Sequence, residues 1–357
     1  FGAVGAAAAE GGGRGKEIPR MEVKEENEEK GWKWVKAEVE RSPQGTMEIR
    51  QRVYSLLSKT NLGKGRPVIP PDTRPSLWMA MTGAERLKRE HATGYYGILL
   101  EEALKDSHRR DLSHLTISKD VHRTLPKVEE LHSPKAIQSM HNILFAYALR
   151  NPETVGYCQS MNLLCAVILI NLNYDEENTF WVLSSVVERH VGYYSRSMCG
   201  LKVDQNVVSD LVAYFEPRLS DHMLTLGVTC DTFTVPWLLC LFVEQPIPLD
   251  QVIHIWDHMF VRGEAMLFSV VLAILRVKKK DIMESTQYED LMQLFLRGLS
   301  DGLTADMILD EIDQAAPTWR DELESDSDEE DSPFSPASIR GVPDRGGYSG
   351  GEGAPRR

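Results

Sequence analysis

Arg123 stands three residues after Asp120, a spacing that in a helical turn lays a carboxylate beside a guanidinium stem. Such a carboxylate could hold the charged head in place before anything binds. A planar, permanently charged group suits anionic charge that develops late in a reaction, such as charge spreading over phosphoryl oxygens. Gln159 lies between the Asn151-to-Gly156 loop and the apolar run Leu163 to Ile170, at the mouth of a buried helix. Its carboxamide can accept from a water while donating to backbone, which suits the orienting of a nucleophile. Each has a plainer reading on its own. An Arg three residues after an Asp is usually a surface ion pair, and a Gln at a helix start usually caps the helix or faces solvent.

Self-contained catalysis finds no support. Neither Gly63-Lys-Gly65 nor Gly11-Gly-Gly-Arg-Gly-Lys16 fits the phosphate-cradling loop G-x-x-x-x-G-K-[ST], since Glu10 and Glu17 occupy its first and last positions in the second case. His254 and His258 have the i, i+4 spacing of a metal pair, but the Glu that a zinc protease needs beside its first His is missing. They are expected on the polar face of an amphipathic helix. No G-x-S-x-G elbow occurs, and Cys158 has no evident His and Asn arrangement around it.

The elements that would position Arg123 and Gln159 read as helix after helix. Ser133 is a good N-cap, followed by Pro134 at the first helical position, with Ile137, Met140, Leu144 and Ala148 on one stripe and Asn151-Pro152 as the stop. A second helix is predicted after Asp204, with Val207, Val208, Leu211, Val212 and Phe215 on one face. A third runs from Leu249 to Val261, closed by Gly263, and Met266 to Leu275 make the next. Only short patches such as Val228 to Val235 could be strand, and they have no partners, so the fold class is all-α. Residues 1–66 are expected to be a mostly flexible arm, residues 67–316 the domain, and residues 317–357 an acidic disordered tail.

The 357 residues carry a net charge of −13, which argues against nucleic acid as a partner. The longest purely apolar run is far short of the roughly twenty residues of a membrane span. Five cysteines without a C-x-x-C pair are read as mostly buried thiols of a reducing cytosol.

Three motifs fall in order along the first half of the helical region: Arg74-Pro-Ser-Leu-Trp78, Ile117-Ser-Lys-Asp120-Val-His-Arg123, and Gly156-Tyr157-Cys-Gln159-Ser-Met-Asn162. Each resembles a fingerprint of the TBC family of Rab GTPase-activating proteins, namely R-x-x-x-W, I-x-x-D-x-x-R and G-Y-x-Q-G-M-N. The likeness extends through Val191-Gly-Tyr-Tyr194, Pro236-Trp237-Leu238 and Ile255-Trp256-Asp257, so it covers roughly Arg74 to Asp313. There are two departures. Ser160 stands where many relatives have Gly, and Val235-Pro236 replaces the more usual Ser-Gln. The first is expected to alter a loop angle and the second packing, with Arg123 and Gln159 untouched.

The resemblance implies two helical halves forming a V-shaped groove, with both functional side chains in the half that ends near Ile170. It implies a GTP-bound Rab-type small GTPase as partner and a place in vesicle trafficking. GTP and Mg²⁺ would be bound by that partner, leaving this chain with no cofactor and no reaction of its own. Arg123 would be the arginine finger and Gln159 the glutamine finger. Asp120 would hold Arg123, and Tyr157, Trp78 and Trp256 would be core or groove-wall residues positioning the fingers. Arg74 would pair with a buried carboxylate. The implied location is the cytoplasm, with membrane association only peripheral, on endomembranes or through the Rab. The rival reading is a catalytically weak TBC-like scaffold. Degenerate scaffolds would be expected to lose the Arg or the Gln, and both are present here.

Overall fold

Apolar stripes at helical spacing become helices throughout, and among the described residues there is no strand. The structure, a computed structural model, describes residues 28–58, 66–105, 112–243 and 245–325, with side chains to residue 315. Helices α1 (Glu28–Arg41), α2 (Met47–Leu57), α3 (Arg74–Met81), α4 (Ala84–Arg89), α5 (Tyr95–Ala103) and α6 (Leu112–His122) come first. A 3₁₀ turn leads into α7 (Pro134–Arg150), α8 (Met161–Asn171) and α9 (Glu176–Arg189). The second half comprises α10 (Val191–Tyr194), α11 (Cys199–Phe215), α12 (Pro217–Thr225), α13 (Cys230–Leu239), α14 (Leu249–Arg262), α15 (Met266–Val277), α16 (Lys279–Glu284), α17 (Tyr288–Gln293) and α18 (Ala305–Ser325).

Helix α8 is the axis of the first half. Its sequence Met161-Asn-Leu-Leu-Cys-Ala-Val-Ile-Leu-Ile-Asn171 is apolar almost all round, and it is buried along nearly its whole length between α7 and α9. Each fully buried Leu, Ile or Val contributes roughly 1.5–3 kcal/mol. The helix is therefore firmly seated, and so is the loop at its N-terminus. Helix α7 begins as its sequence predicts: Ser133 Oγ accepts from the Ala136 amide at 3.2 Å and Pro134 takes the first position. Helix α14 ends on Gly263, whose φ of 103° suits a residue without Cβ.

Several expectations are corrected. Helices α1 and α2 lie within the stretch read as a flexible arm, yet Trp32, Val35, Val39, Ile49, Val53 and Leu56 are all core residues. The abundant Glu and Lys between them are the solvent face of an amphipathic helix and mask the stripe. Arg50 of α2 donates to the carbonyls of Phe260 and Val261 at 2.9 and 2.6 Å and of Met81 at 3.2 Å, capping the C-terminal ends of α14 and α3. Residues 1–27 and 59–65 of that arm lie outside the described residues. At the other end, α18 runs past the expected boundary at 316 to Ser325, and the rest of the expected tail is outside the described residues. Asp204 does not start its helix, which begins at Cys199; its carboxylate accepts from Tyr193 Oη at 2.5 Å instead. His258 is not on a polar face but 2% exposed, and burial pushes its pKa down to about 3. Of the five cysteines, all free, Cys165, Cys230 and Cys240 are buried, Cys158 half-buried and Cys199 exposed.

A buried polar knot ties the two halves together. Asp257 of α14, 1% exposed, accepts from Arg74 Nε and Nη2 at 3.1 and 3.0 Å and from Trp78 Nε1 at 2.7 Å. Arg74 Nη1 also reaches Asn171 Oδ1, at the end of α8, at 3.4 Å. Arg74 therefore has the buried carboxylate expected of it. Removing the acceptor would strand a guanidinium and an indole N–H in the core, so Asp257→Ala is expected to lower unfolding stability by about 3–5 kcal/mol, read by denaturant titration. A loss under about 1 kcal/mol would mean that the knot is not what joins α3 to α14.

Candidate functional site

Arg123 emerges directly after α6, where its amide still bonds back to Asp120 C=O at 3.1 Å. Its side chain is 61% exposed, whereas that of Asp120 is 3% exposed. Nε and Nη2 both donate to Asp120 Oδ1, at 3.1 and 2.8 Å, and the other carboxylate oxygen accepts from Tyr157 Oη at 2.7 Å. Burial, and then the hydrogen bond to that carboxylate, push the Tyr157 hydroxyl far above the usual phenol range, so it remains a donor. A buried anion clamped by Tyr157 thus grips the stem of an exposed cation. Such a pair contributes little to stability, but it narrows the directions in which the guanidinium can point.

Gln159 is exposed in the loop between α7 and α8, and its carboxamide has no hydrogen-bond partner among the described residues. The loop is shaped by Gly156 at φ 56° and Ser160 at φ 102°. Two residues to which the sequence reading assigned no role complete the arrangement. Asn162 Oδ1 accepts from the Ser160 amide at 3.2 Å, and Asn162 Nδ2 donates to Thr124 Oγ1 at 2.9 Å. The only signal for Asn162 was its place at the end of the third motif.

Arg123 and Gln159 open into one cleft of about 310 Å³. Ser160, Asn162 and Leu163 line it from the first half; Val235, Pro236, Leu239 and Cys240 line it from α13 and the residue after it. Both departures from the family pattern therefore sit in the cleft, and Val235-Pro236 forms part of its wall rather than only packing. Trp78, Trp256 and Arg74 do not line it. Trp78 and Trp256 are core residues, and Arg74 and Trp78 act at the Asp257 knot, so their support is to the frame and not to the fingers directly. Among the described residues, no group of three or more His, Cys, Asp and Glu is placed to hold a metal ion.

Ser160 is a strained non-glycine residue. Its side chain makes no capping bond to α8, and its φ of 102° with ψ −30° lies where a Cβ is disfavoured. The strain costs roughly 1–3 kcal/mol, and the greater unfolded-state freedom of glycine offsets about 0.5–1 of any relief. Ser160→Gly is thus expected to stabilise the protein by about 1 kcal/mol, seen as a rise in Tm of roughly 2–4 °C. A fall in Tm would show that the serine is relaxed in this loop.

A sequence profile of the Rab-GTPase-TBC domain matches residues 71–283. The chain belongs to this family. The TBC chain is 32% identical to Growth hormone-regulated TBC protein 1-A of Danio rerio over 256 residues, covering 70% of this chain and 68% of the relative. It is 33% identical to Growth hormone-regulated TBC protein 1 of Homo sapiens over 238 residues, covering 64% and 67%. The aligned segment thus spans about two thirds of each relative. Among solved structures, the Chlamydomonas flagellar RabGAP TBC domain superposes with a TM-score of 0.63 at 24% identity, covering 80% of this chain and 96% of that one. The Ypt/Rab-GAP domain of Gyp1p gives a TM-score of 0.64 at 20% identity, covering 81% and 99%. At those identities the likeness is one of fold, and the all-helical architecture is that of the TBC domain.

Proposed function

We propose that this TBC chain accelerates GTP hydrolysis by a Rab-type small GTPase in its GTP-bound form, lending it Arg123 and Gln159 in trans. The observation that carries the reading is the convergence of an exposed, tethered guanidinium and an exposed, unpartnered carboxamide on one cleft between the two helical halves. Phosphoryl transfer from GTP passes through a loose transition state with charge spread over the γ-phosphoryl and leaving oxygens, so catalysis is positioning plus electrostatic stabilisation. Arg123 supplies the charge. Gln159 orients the attacking water, in place of the GTPase's own glutamine. GTP and Mg²⁺ belong to the partner, and this chain completes the partner's active site without a cofactor of its own.

Asp120 and Tyr157 make the finger ready before encounter, which lowers the ordering cost at the moment of reaction. Leu163, Val235, Pro236 and Leu239 give the cleft apolar sides that exclude water from the entering GTPase segment. No helix of the described residues is long and apolar enough to cross a membrane, and membrane association through a Rab partner fits that. The deciding experiment is a screen of the purified protein against a panel of GTP-loaded Rab proteins under single-turnover conditions. Stimulation of at least one member supports activation. Binding without stimulation anywhere on the panel would favour the scaffold reading.

A further inference from the structure

We propose that Asn162 is a positioning residue that fixes Arg123 and Gln159 relative to one another, a proposal that rests on the roles given to those two side chains above. Asn162 is 5% exposed and is the second residue of α8. Its Oδ1 accepts from the Ser160 amide at 3.2 Å, immediately after Gln159. Its Nδ2 donates to Thr124 Oγ1 at 2.9 Å, immediately after Arg123. Thr124 Oγ1 in turn donates to the Asp120 carbonyl at 2.7 Å, and Tyr157 Oη lies 3.5 Å from Asn162 Oδ1. One carboxamide therefore joins the loop before α8 to Thr124, 38 residues before Asn162 in the chain.

A helix start calls for only the first of these bonds, since a side chain in the first turn that reaches back to the N-cap amide is an ordinary capping arrangement. The bond to Thr124 does nothing for α8. It joins the end of α6 to the loop before α8, so the distance between guanidinium and carboxamide depends on a short run of buried bonds. The residue type is the one required: a carboxamide has an acceptor at one end and a donor at the other, whereas a carboxylate lacks the donor and an aliphatic lacks both. Charge stabilisation and water orientation must meet at the same transition state, where a displacement of about 1 Å can cost on the order of 10²-fold.

The test uses the full chain with a GTP-loaded Rab that it stimulates, in single-turnover hydrolysis, beside thermal unfolding of each variant. Asn162→Ala is expected to lower the maximal rate by roughly 30- to 100-fold with the half-saturating concentration within about twofold of the parent, and Thr124→Val to lower it by about tenfold. Thr124→Ser, which keeps the hydroxyl, is expected to match the parent. The double variant Asn162→Ala/Thr124→Val should lose much less than the product of the two single losses, because the changes share the Asn162–Thr124 bond and Thr124→Val alone also removes the bond from Oγ1 to the Asp120 carbonyl. A folded Asn162→Ala with an unchanged maximal rate overturns the proposal, as do losses that multiply in the double variant. Should Asn162→Ala not fold, exchange in the distant Gln159–Ser160 loop of Thr124→Val decides, since the other bond that variant loses, to the Asp120 carbonyl, is local to the end of α6. Amide exchange read by mass spectrometry provides an arm that needs no partner. Thr124→Val is expected to speed exchange in the Gln159–Ser160 loop as well as around Arg123, and unchanged exchange in that loop overturns the proposal. A parent that stimulates no GTPase, yet shows this linked exchange, overturns the finger roles and leaves the coupling standing.

Discussion

Arg123→Ala is expected to remove stimulation of GTP hydrolysis by on the order of 10³- to 10⁵-fold at saturating partner, or roughly 4–7 kcal/mol of transition-state stabilisation. The protein itself should stay folded. Arg123 is 61% exposed and belongs to no apolar cluster, and Asp120 keeps Tyr157 as a donor, so unfolding stability should fall by only about 1–2 kcal/mol. Arg123→Lys should recover little of the rate. An ammonium cannot bond to Asp120 through two nitrogens as Nε and Nη2 do, nor present a planar fork to phosphoryl oxygens. Binding to a partner loaded with a non-hydrolysable GTP analogue should change much less than the rate, because the charge acts chiefly in the transition state. Near-parental stimulation by the alanine variant would remove the arginine from the mechanism.

The second large effect separates the two side chains by means of the partner's own glutamine. If Gln159 orients the water, a Rab whose switch-region Gln is changed to Ala or Leu should still be stimulated, because the carboxamide arrives from this chain. Arg123 alone would not suffice there, since charge stabilisation does not orient a nucleophile. Gln159→Ala is therefore expected to be impaired by roughly 10²-fold or more with both normal and Gln-less partners. Gln159 has no hydrogen bond to lose among the described residues, so its stability should be close to that of the parent. Single-turnover hydrolysis across the four pairings of normal and altered proteins decides. A Gln159→Ala variant equal to the parent on the normal Rab, with neither acting on the Gln-less one, would make Gln159 a loop residue without a chemical role.

These expectations draw unequally on sequence and structure. The helix from Ser133 to Arg150 was legible because its cap, its proline and its stripe are local signals. So was the contact of Arg123 with Asp120, which one helical turn dictates. Helices α1 and α2 were not, because Trp32, Val35 and Val39 sit among Glu and Lys and are buried only once α2 and α3 cover α1 and α14 covers α2. Asn162 and Thr124 carried no local signal that they would meet.

Without coordinates, the order and spacing of three motifs indicate the family and nominate Arg123 and Gln159 as candidates, and apolar stripes at helical spacing indicate the all-helical class. Those features depend on residue type and on neighbours within a turn or two. That Gln159 opens into the same cleft as Arg123, that Val235 and Pro236 form its far wall, and that Arg74 and Trp78 converge on Asp257 were decided by the tertiary structure alone. The physical reason is sequence distance. Asp257 lies 183 residues from Arg74, and Asn162 lies 38 from Thr124. Contacts at such separations are chosen by how whole helices pack around α8 and against α14, and no periodicity within a single helix records that choice.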